Sequence, residues 1–353
     1  MKRTPLEIIE LKGNPVEVAF ALGEKRAKTI ALRVDYWNAF LAQLYRGKRS
    51  LLKSMEKEFL RYAMSASTSY VEEIHAIAEG AGLPFADLFR LNLTELKAFG
   101  EKCSTLILPF ATPNGRRIMI AHNEDWTPEQ NDVFILKVKM PDVSYAILTY
   151  DGYLPGLSSG VNSHGLCHAV NYVLAKDIRP ATPRGFITRF LVTAKNSKEC
   201  LDWIRKTKRA FGQSIHLAEK DKYMGIEITA KKIVLRHPAL PTLHTNHYLS
   251  PVLKTARAIP SENSLLRQKI GTQLLKNKMS KHNPDSLTKK QVTTMARDIL
   301  SDRSGFPYCL WRDADNPKET SATVATALFS TDSGDLDVYR NKPDSCEPLK
   351  AQL

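Results

Sequence analysis

Among 353 residues there are five cysteines, at 103, 167, 200, 309 and 346, and no two of them form a CxxC pair. An odd number at wide spacing does not suggest a disulfide framework, and the lack of paired ligands does not suggest a zinc site. The chain suits a reducing compartment. No run of about eighteen apolar residues occurs, so no bilayer-spanning helix is expected. The start, "MKRTPLEIIELKG", meets Glu7 and Glu10 before a signal-peptide apolar region can develop. The expectation is a soluble, cytoplasmic protein with no membrane partner. Internal repeats and low-complexity linkers are also missing.

A further absence concerns aromatic residues interleaved with cations. The formal net charge is +14, of which about +3 lies in residues 1–102 and about +11 in residues 103–353. The excess is scattered through "RKTKR", "TAKK" and "KNKMSKH", without the aromatics that a single-strand groove needs. These runs read as solvated faces, and no nucleic-acid partner is expected. A positive field would suit an anionic acyl donor or a carboxylated substrate.

What is present is core-forming material, 43% hydrophobic residues, enough for one large domain or two ordinary ones. Residues 1 to about 100 carry helical spacing over roughly 16–33, 50–64 and "YVEEIHAIAEGAGLP". In the last of these Val71, Ile74 and Ile77 recur every three residues and Gly80, Gly82 and Pro84 supply the stop. His75 has no partner in the pattern and reads as structural. From Cys103 the period changes to two. "CSTLILPF" and "RRIMIAHNEDW" flank "ATPNG", whose Asn114-Gly115 pair predicts a two-residue hairpin. "VFILKVKM" alternates, with Phe134, Leu136, Val138 and Met140 on one face and Lys137 and Lys139 on the other; "SYAILTYDGY" and "LCHAVNYV" continue what reads as an antiparallel meander. Helix is expected over 185–208 and 260–301, with strands in "YMGIEITAKKIVLRH" and "TLHTNHYL" between them. Thr288 to Gln291 has capping-box spacing, and Val292, Met295, Ala296 and Ile299 mark a buried stripe. "SATVATALFSTDSGDLDVYR" reads as a closing hairpin around Asp332, Ser333 and Gly334. Strand runs separated by helix pairs predict sheets covered by helices.

Three constellations compete for the chemistry. "GLSSG", residues 156–160, fits the nucleophile-elbow pattern with Ser158 at its centre, but the elbow needs a helix directly after the serine and "VNSHGLCHAVNYV" reads as loop and strand. "HNE", residues 122–124, matches half of a zinc-deaminase signature whose P-C-x-x-C half is absent, so no metal is expected. The third begins at Cys103. A cysteine at the head of a strand can become the first residue of a new chain, and its freed α-amine, with a pKa of about 7.7 to 8.0, can serve its own thiol as base. An orienting group and an oxyanion donor are then required. The strand returning through "HNEDW" can bring Asn123 and Asp125 beside the strand start, and "LHTNHYL" can present Asn246.

Cys103-Ser104-Thr105, "NEDW", "GVNSHGL…AVNY", "GIEIT", "HTNH" and "FPYCLWR" stand in the order found in the acyl-coenzyme A:6-aminopenicillanic acid acyltransferase family of self-processing N-terminal-nucleophile hydrolases. With "GNPVEVAFALG" near the start, the chain resembles that family over nearly its whole length. The resemblance implies an α+β fold, the four-layer αββα sandwich, over residues 103–353, preceded by a helical pro-segment, 1–102, that stays attached as a small subunit after cleavage between Lys102 and Cys103. It implies that Cys103 is nucleophile and, through its amine, base. Asp125 would fix the amine with Asn123 beside it, and Asn246 would stabilise the oxyanion with Asn171 contributing. Arg312 would lie near the nucleophile, and Thr105 and Thr229 would serve processing or substrate contact. The family usually has glycine where Lys102 stands, a residue that permits strained backbone, and Cys309 and Trp311 alter two further positions. Cys167, Cys200 and Cys346 match no functional position. The expected activity is cleavage of a C–N amide bond in a small-molecule substrate through a thioester, with no cofactor and with hydrolysis as the default outcome. The alternatives are a serine hydrolase built on Ser158 and an unprocessed, inactive basic binding protein.

Overall fold

The computed structural model describes residues 5–97, 103–127, 132–253, 261–313 and 321–353. The N-terminal segment is helical where the apolar spacing places helix: α1 (Pro15–Leu44), α2 (Arg49–Ala66), α3 (Thr68–Gly80) and α4 (Phe85–Leu91). Asn14 starts α1 by accepting from the amides of Val16 and Glu17, while Glu17 accepts from Asn14 N, a reciprocal box that satisfies the otherwise orphaned first-turn donors. α1 and α3 cross at two glycines. A Cβ on Gly23 would stand 2.3 Å from Ile77 O, and one on Gly80 2.2 Å from Phe20 O, so only glycine permits this approach. Val71, Ile74 and Ile77 are buried, and Gly82, at φ +67°, ends the segment. His75 is exposed and stacks on Phe85, in keeping with its structural reading.

The segment also contains a strand that helical spacing does not reveal. β1 (Ile8–Lys12) pairs in parallel with β4 (Val133–Lys139) and forms the edge of an eight-stranded sheet. That sheet continues through β5 (Ser144–Tyr150), β6 (Ser159–Asn162), β7 (Leu166–Tyr172), β8 (Gln213–Glu219), β9 (Lys222–Ile228) and β10 (Ile233–Arg236). A second, six-stranded sheet has the order β11 (Thr242–His244), β2 (Ser104–Thr112), β3 (Gly115–Trp126), β12 (Ala322–Ser330), β13 (Leu336–Tyr339), β14 (Leu349–Ala351). The strands read as one meander are therefore divided between the two sheets of the expected sandwich. β3 pairs with β12 rather than β4, a choice that alternation along a strand cannot specify because it fixes faces and not partners.

The hairpin after Cys103 is present, one residue away from the expected centre. Thr112 pairs with Gly115, so Pro113 and Asn114 form the turn and Gly115, at φ +97°, receives the left-handed position. Proline's fixed φ favours the first central site and decides the register.

Four layers result. Between the sheets, Ile107, Ile118 and Ile120 pack with Leu148, Tyr150, Cys167 and Ala169. Outside the small sheet, Leu106, Leu108 and Met119 meet α7 (Glu262–Met279) and α8 (Lys289–Leu300), whose Val292, Met295, Ala296 and Ile299 form the expected buried stripe behind the Thr288–Gln291 capping box. Outside the large sheet, Ile215 and Ile226 meet α5 (Arg184–Thr193) and α6 (Ser197–Lys206), while Phe134, Leu136 and Val138 meet α1. This is the αββα sandwich. Trp37, Phe59, Ile74 and Leu88 of the leading segment belong to the same apolar cluster as the inter-sheet residues, and the expected boundary at 102/103 lies outside the described residues.

A buried ion pair joins the leading segment to α5: Arg189 Nε lies 2.7 Å from Glu73 Oε2, both side chains almost fully enclosed. Arg189→Ala should cost about 3–5 kcal/mol by leaving the carboxylate buried alone, whereas replacing both residues with apolar ones of similar volume should be nearly neutral. Urea unfolding of the two variants checks this, and equal losses would contradict it.

Candidate active site

The pleat of the β2–β3 pair sorts the candidate residues onto two faces. Ser104 lies opposite Asn123 and Thr105 opposite His122. Thr105, His122, Glu124 and Trp126 face the inter-sheet layer; Asn123 and Asp125 face α7 and α8. Cys103 stands immediately before β2 and is buried.

Its sulfur lies toward the inter-sheet side. Cys103 Sγ is 3.8 Å from Glu124 Oε1, which also accepts from Tyr150 OH at 2.6 Å. Glu124 Oε2 is 3.0 Å from His122 Nε2, and His122 Nδ1 is 2.8 Å from Thr105 Oγ1. Thr105 Oγ1 in turn donates to Asn171 Oδ1 at 2.7 Å, which links β2 across the layer to β7. The Nδ2 of Asn171 is buried with no hydrogen-bond partner among the described residues. It is a donor in reserve.

The backbone of Cys103 is gripped from the other side. Its N–H donates to Asn246 Oδ1 at 2.8 Å, and Asn246 Nδ2 donates to Tyr172 O at 3.0 Å, leaving one of its two hydrogens for another acceptor. Arg267 Nη1 donates at 2.7 Å to both Cys103 O and Ser104 Oγ, Nη2 donates to Asn246 Oδ1 at 2.7 Å, and Nε donates to Asn263 Oδ1 at 2.8 Å. Burial lowers the pKa of this guanidinium, against the raising influence of Asp125 and Cys103.

Of the residues expected from sequence, Cys103, Thr105, Asn171 and Asn246 come together. Asp125 and Arg312 form a second group behind them, with Arg312 Nη1 3.6 Å from Asp125 Oδ2. Burial opposes both charges: it raises the Asp125 carboxyl, against the pull of Arg312 and Arg267, and lowers Arg312 to about 10, against the pull of Asp125. Asn123 is a structural clamp, donating to Leu300 O and Leu310 O at 2.9 Å and accepting from Thr326 Oγ1 at 2.6 Å. Thr229 donates to Asp177 Oδ2 at 2.8 Å and accepts from the amides of Lys231 and Lys232, which holds the β9–β10 turn. Lys102 lies outside the described residues. Ser158 is buried and leads straight into β6, so the helix that an elbow requires is absent there. Cys167 and Cys200 are buried, and burial raises the pKa of both thiols.

Sequence reasoning missed Arg267 and Tyr150, and weighed His122 and Glu124 only as half of a metal signature, which it set aside. Asn263, Arg267, Gly271 and Leu275 recur every four residues and are buried, a stripe whose polar half an apolar search passes over. For His122 and Glu124 the signal was parity with Trp126 on one strand.

A family model described as acyl-coenzyme A:6-aminopenicillanic acid acyl-transferase matches residues 110–345. The chain belongs to this family. The matched span includes Asn123, Asp125, Asn171, Asn246 and Arg312 and begins after Cys103. Among acyltransferase-family relatives, the β-alanyl-dopamine/carcinine hydrolase of Drosophila melanogaster is 23% identical over 98% of this chain and 96% of its own length. The structure of penicillin V acylase from Agrobacterium tumefaciens superposes with a TM-score of 0.44 and 14% identity, covering 70% of this chain and 84% of that one. The protein is an amide hydrolase or acyltransferase.

Buried histidines around this site make stability pH-dependent. Burial, with His122 nearby, lowers His168 to about 3, and burial with His244 and His122 lowers His216 well below its ordinary value. Between the folded pKa and the unfolded value of about 6.5 the unfolded chain binds the extra proton, so stability falls as pH drops, by up to about 1.4 kcal/mol per pH unit for each histidine. Denaturant unfolding at pH 7.5 and 5.5 should show a shallower acid loss in His168→Gln than in the unaltered protein; parallel losses would contradict the assignment.

Proposed function

We propose that the protein is a cysteine amide hydrolase that matures by cleavage before Cys103 and acts on small-molecule amides through a Cys103 thioester. The observation that carries this reading is the double engagement of one residue: Cys103 N–H meets Asn246 at 2.8 Å while its sulfur meets Glu124 at 3.8 Å. Nucleophile and future amine are both held in place.

Before cleavage the nitrogen of Cys103 is an amide and cannot act as a base. Glu124 Oε1 takes that role, held by Tyr150 and His122. The thiol proton passes to the carboxylate, sulfur attacks the carbonyl of residue 102, and the C–N bond breaks as the acyl group moves to sulfur and the proton returns to nitrogen. Water then hydrolyses the thioester. The second Nδ2 hydrogen of Asn246 and the Nδ2 of Asn171 are the donors offered to the oxyanion. In the mature enzyme the new amine, beside Asn246 Oδ1, accepts the thiol proton and delivers it to the leaving amine of the substrate. Arg267 fixes the strand start, and Asp125 with Arg312 supplies paired charge behind it.

Hydrolysis, rather than transfer to a second amine, follows the named activity of the Drosophila relative, and amides of β-alanine are the first substrates to assay. No observation favours Ser158 as nucleophile.

Intact mass should show two fragments divided at 102/103 in the purified protein. Cys103→Ala should give one uncut, inactive chain; an active Cys103→Ala enzyme refutes the nucleophile, and an uncut but active parent refutes maturation. Asn246→Ala should lower kcat by roughly 100- to 1000-fold, the usual cost of one oxyanion donor. Glu124→Gln should slow the appearance of fragments by about 100-fold or more, a typical general-base contribution. Unchanged cleavage kinetics in that variant would remove Glu124 from the step.

A further inference from the structure

The sulfur of Cys103, a ring nitrogen of His122 and a carboxylate oxygen of Glu124 lie within 4.8 Å of one another, and all three residues are buried. Two separations bear on coordination: 3.8 Å from Sγ to Glu124 Oε1, and 3.0 Å from His122 Nε2 to Glu124 Oε2. Tetrahedral zinc, with bonds of about 2.3 Å to sulfur and about 2.0–2.2 Å to nitrogen and oxygen, sets its ligand atoms about 3.4–3.6 Å apart. The two separations run to different oxygens of Glu124, so rotation of its carboxylate, with sulfur and ring nitrogen drawing together from within 4.8 Å, brings one oxygen and the other two donors to that spacing. The supporting shell also suits a metal. His122 Nδ1 is fixed on Thr105 Oγ1 at 2.8 Å, which aims Nε2 inward, and Tyr150 OH steadies the carboxylate at 2.6 Å. His122 and Glu124 share one strand and Cys103 heads its neighbour, so the backbone of a single hairpin sets the three donors. Thiolate, imidazole and carboxylate together select zinc over magnesium or calcium.

We propose that Cys103, His122 and Glu124 bind one Zn²⁺ ion that captures the Cys103 thiolate and holds the enzyme inactive. Binding forms an S–Zn bond and releases the thiol proton to solvent, with no change of oxidation state and with a water completing four-coordination. The metal competes with the acyl carbon for sulfur and with the thiol proton for Glu124. It therefore blocks cleavage before Cys103 and substrate turnover alike. The inhibitory consequence rests on Cys103 being the nucleophile; the binding does not.

The test uses the full chain, purified with chelator and titrated with Zn²⁺, and separately with Co²⁺ as a spectroscopic probe. One metal per chain is expected, with a cobalt–thiolate charge-transfer band. Cys103→Ala should abolish the band, and His122→Ala and Glu124→Gln should each weaken zinc affinity by at least about 10- to 100-fold, with circular dichroism confirming that the variants fold. Amide hydrolysis should stop at stoichiometric zinc and resume with EDTA. Zinc that does not bind, or that binds equally well in all three variants, overturns the proposal. The cobalt band is read without substrate, so a cysteine-dependent band in a protein whose Cys103→Ala variant still hydrolyses amide would refute the nucleophile and the inhibition while upholding the metal site.

Discussion

The site depends on how the chain is held at Cys103, the residue immediately before β2. A strand end ordinarily frays, because its last amide and carbonyl lack ladder partners. Here both groups of Cys103 are taken up from outside the β2–β3 ladder, the N–H by Asn246 and the C=O by Arg267, and Arg267 also grips the Asn246 oxygen. The planar guanidinium offers donors in a fixed fork, so its four contacts to Cys103, Ser104, Asn246 and Asn263 define a position rather than only a charge. Burying that cation is costly. The cost is offset by the four hydrogen bonds of the fork and by Asp125 within its field.

The same pleat then divides the chemistry. On the inter-sheet face stand the sulfur, Glu124, His122 and Thr105, groups that accept or pass protons. On the helix face stand Asp125, Arg312 and Arg267, groups whose charges are paired and enclosed. Because neighbouring residues of a strand point to opposite faces, Glu124 and Asp125 adjoin in sequence and yet occupy different environments. A one-residue slip of β3 would exchange them, which makes the register set by Pro113 and Gly115 at the far end of the hairpin a condition for the site.

How far the sequence discloses this varies with the range of the interaction. The helices of the leading segment, the capping box at Thr288 and the hairpin after Cys103 were legible because spacing and turn chemistry act within a few residues. β1, β6 and β8 were not: β1 is short and precedes a long helix, β6 hides in a glycine- and serine-rich run, and β8 is buried on both faces and lacks clean alternation. The two sheets were implied by the family resemblance, but which strands fall in which sheet was not legible, since β3 chooses β12 some two hundred residues away. At the site, Cys103, Asn171 and Asn246 were found through an ordered set of short motifs, but Arg267 belongs to no motif, and Glu124 was set aside with the incomplete zinc signature around it. The fold sets one thiol, that of Cys103 at the head of the neighbouring strand, beside His122 and Glu124, a juxtaposition that a motif read along one strand does not show.

The leading segment bears on maturation in the same physical terms. Cleavage before Cys103 would remove one covalent link, whereas β1 is hydrogen-bonded into the large sheet and the helices share the inter-sheet core. Arg26 bonds twice to Asp151, at 2.6 and 2.8 Å, Asn92 joins Gly152 O and Leu154 N at 2.9 and 2.8 Å, and Arg189 pairs with Glu73. These contacts span the proposed cut, and parting the fragments would break them together and expose the apolar core that the segment shares. Arg33 of the segment also lies over the rings of Tyr153 and of Tyr150, the residue that holds Glu124. Separation would therefore disturb the carboxylate beside the sulfur as well as the core, so the same packing that allows the precursor to fold would keep the two fragments of the mature enzyme together.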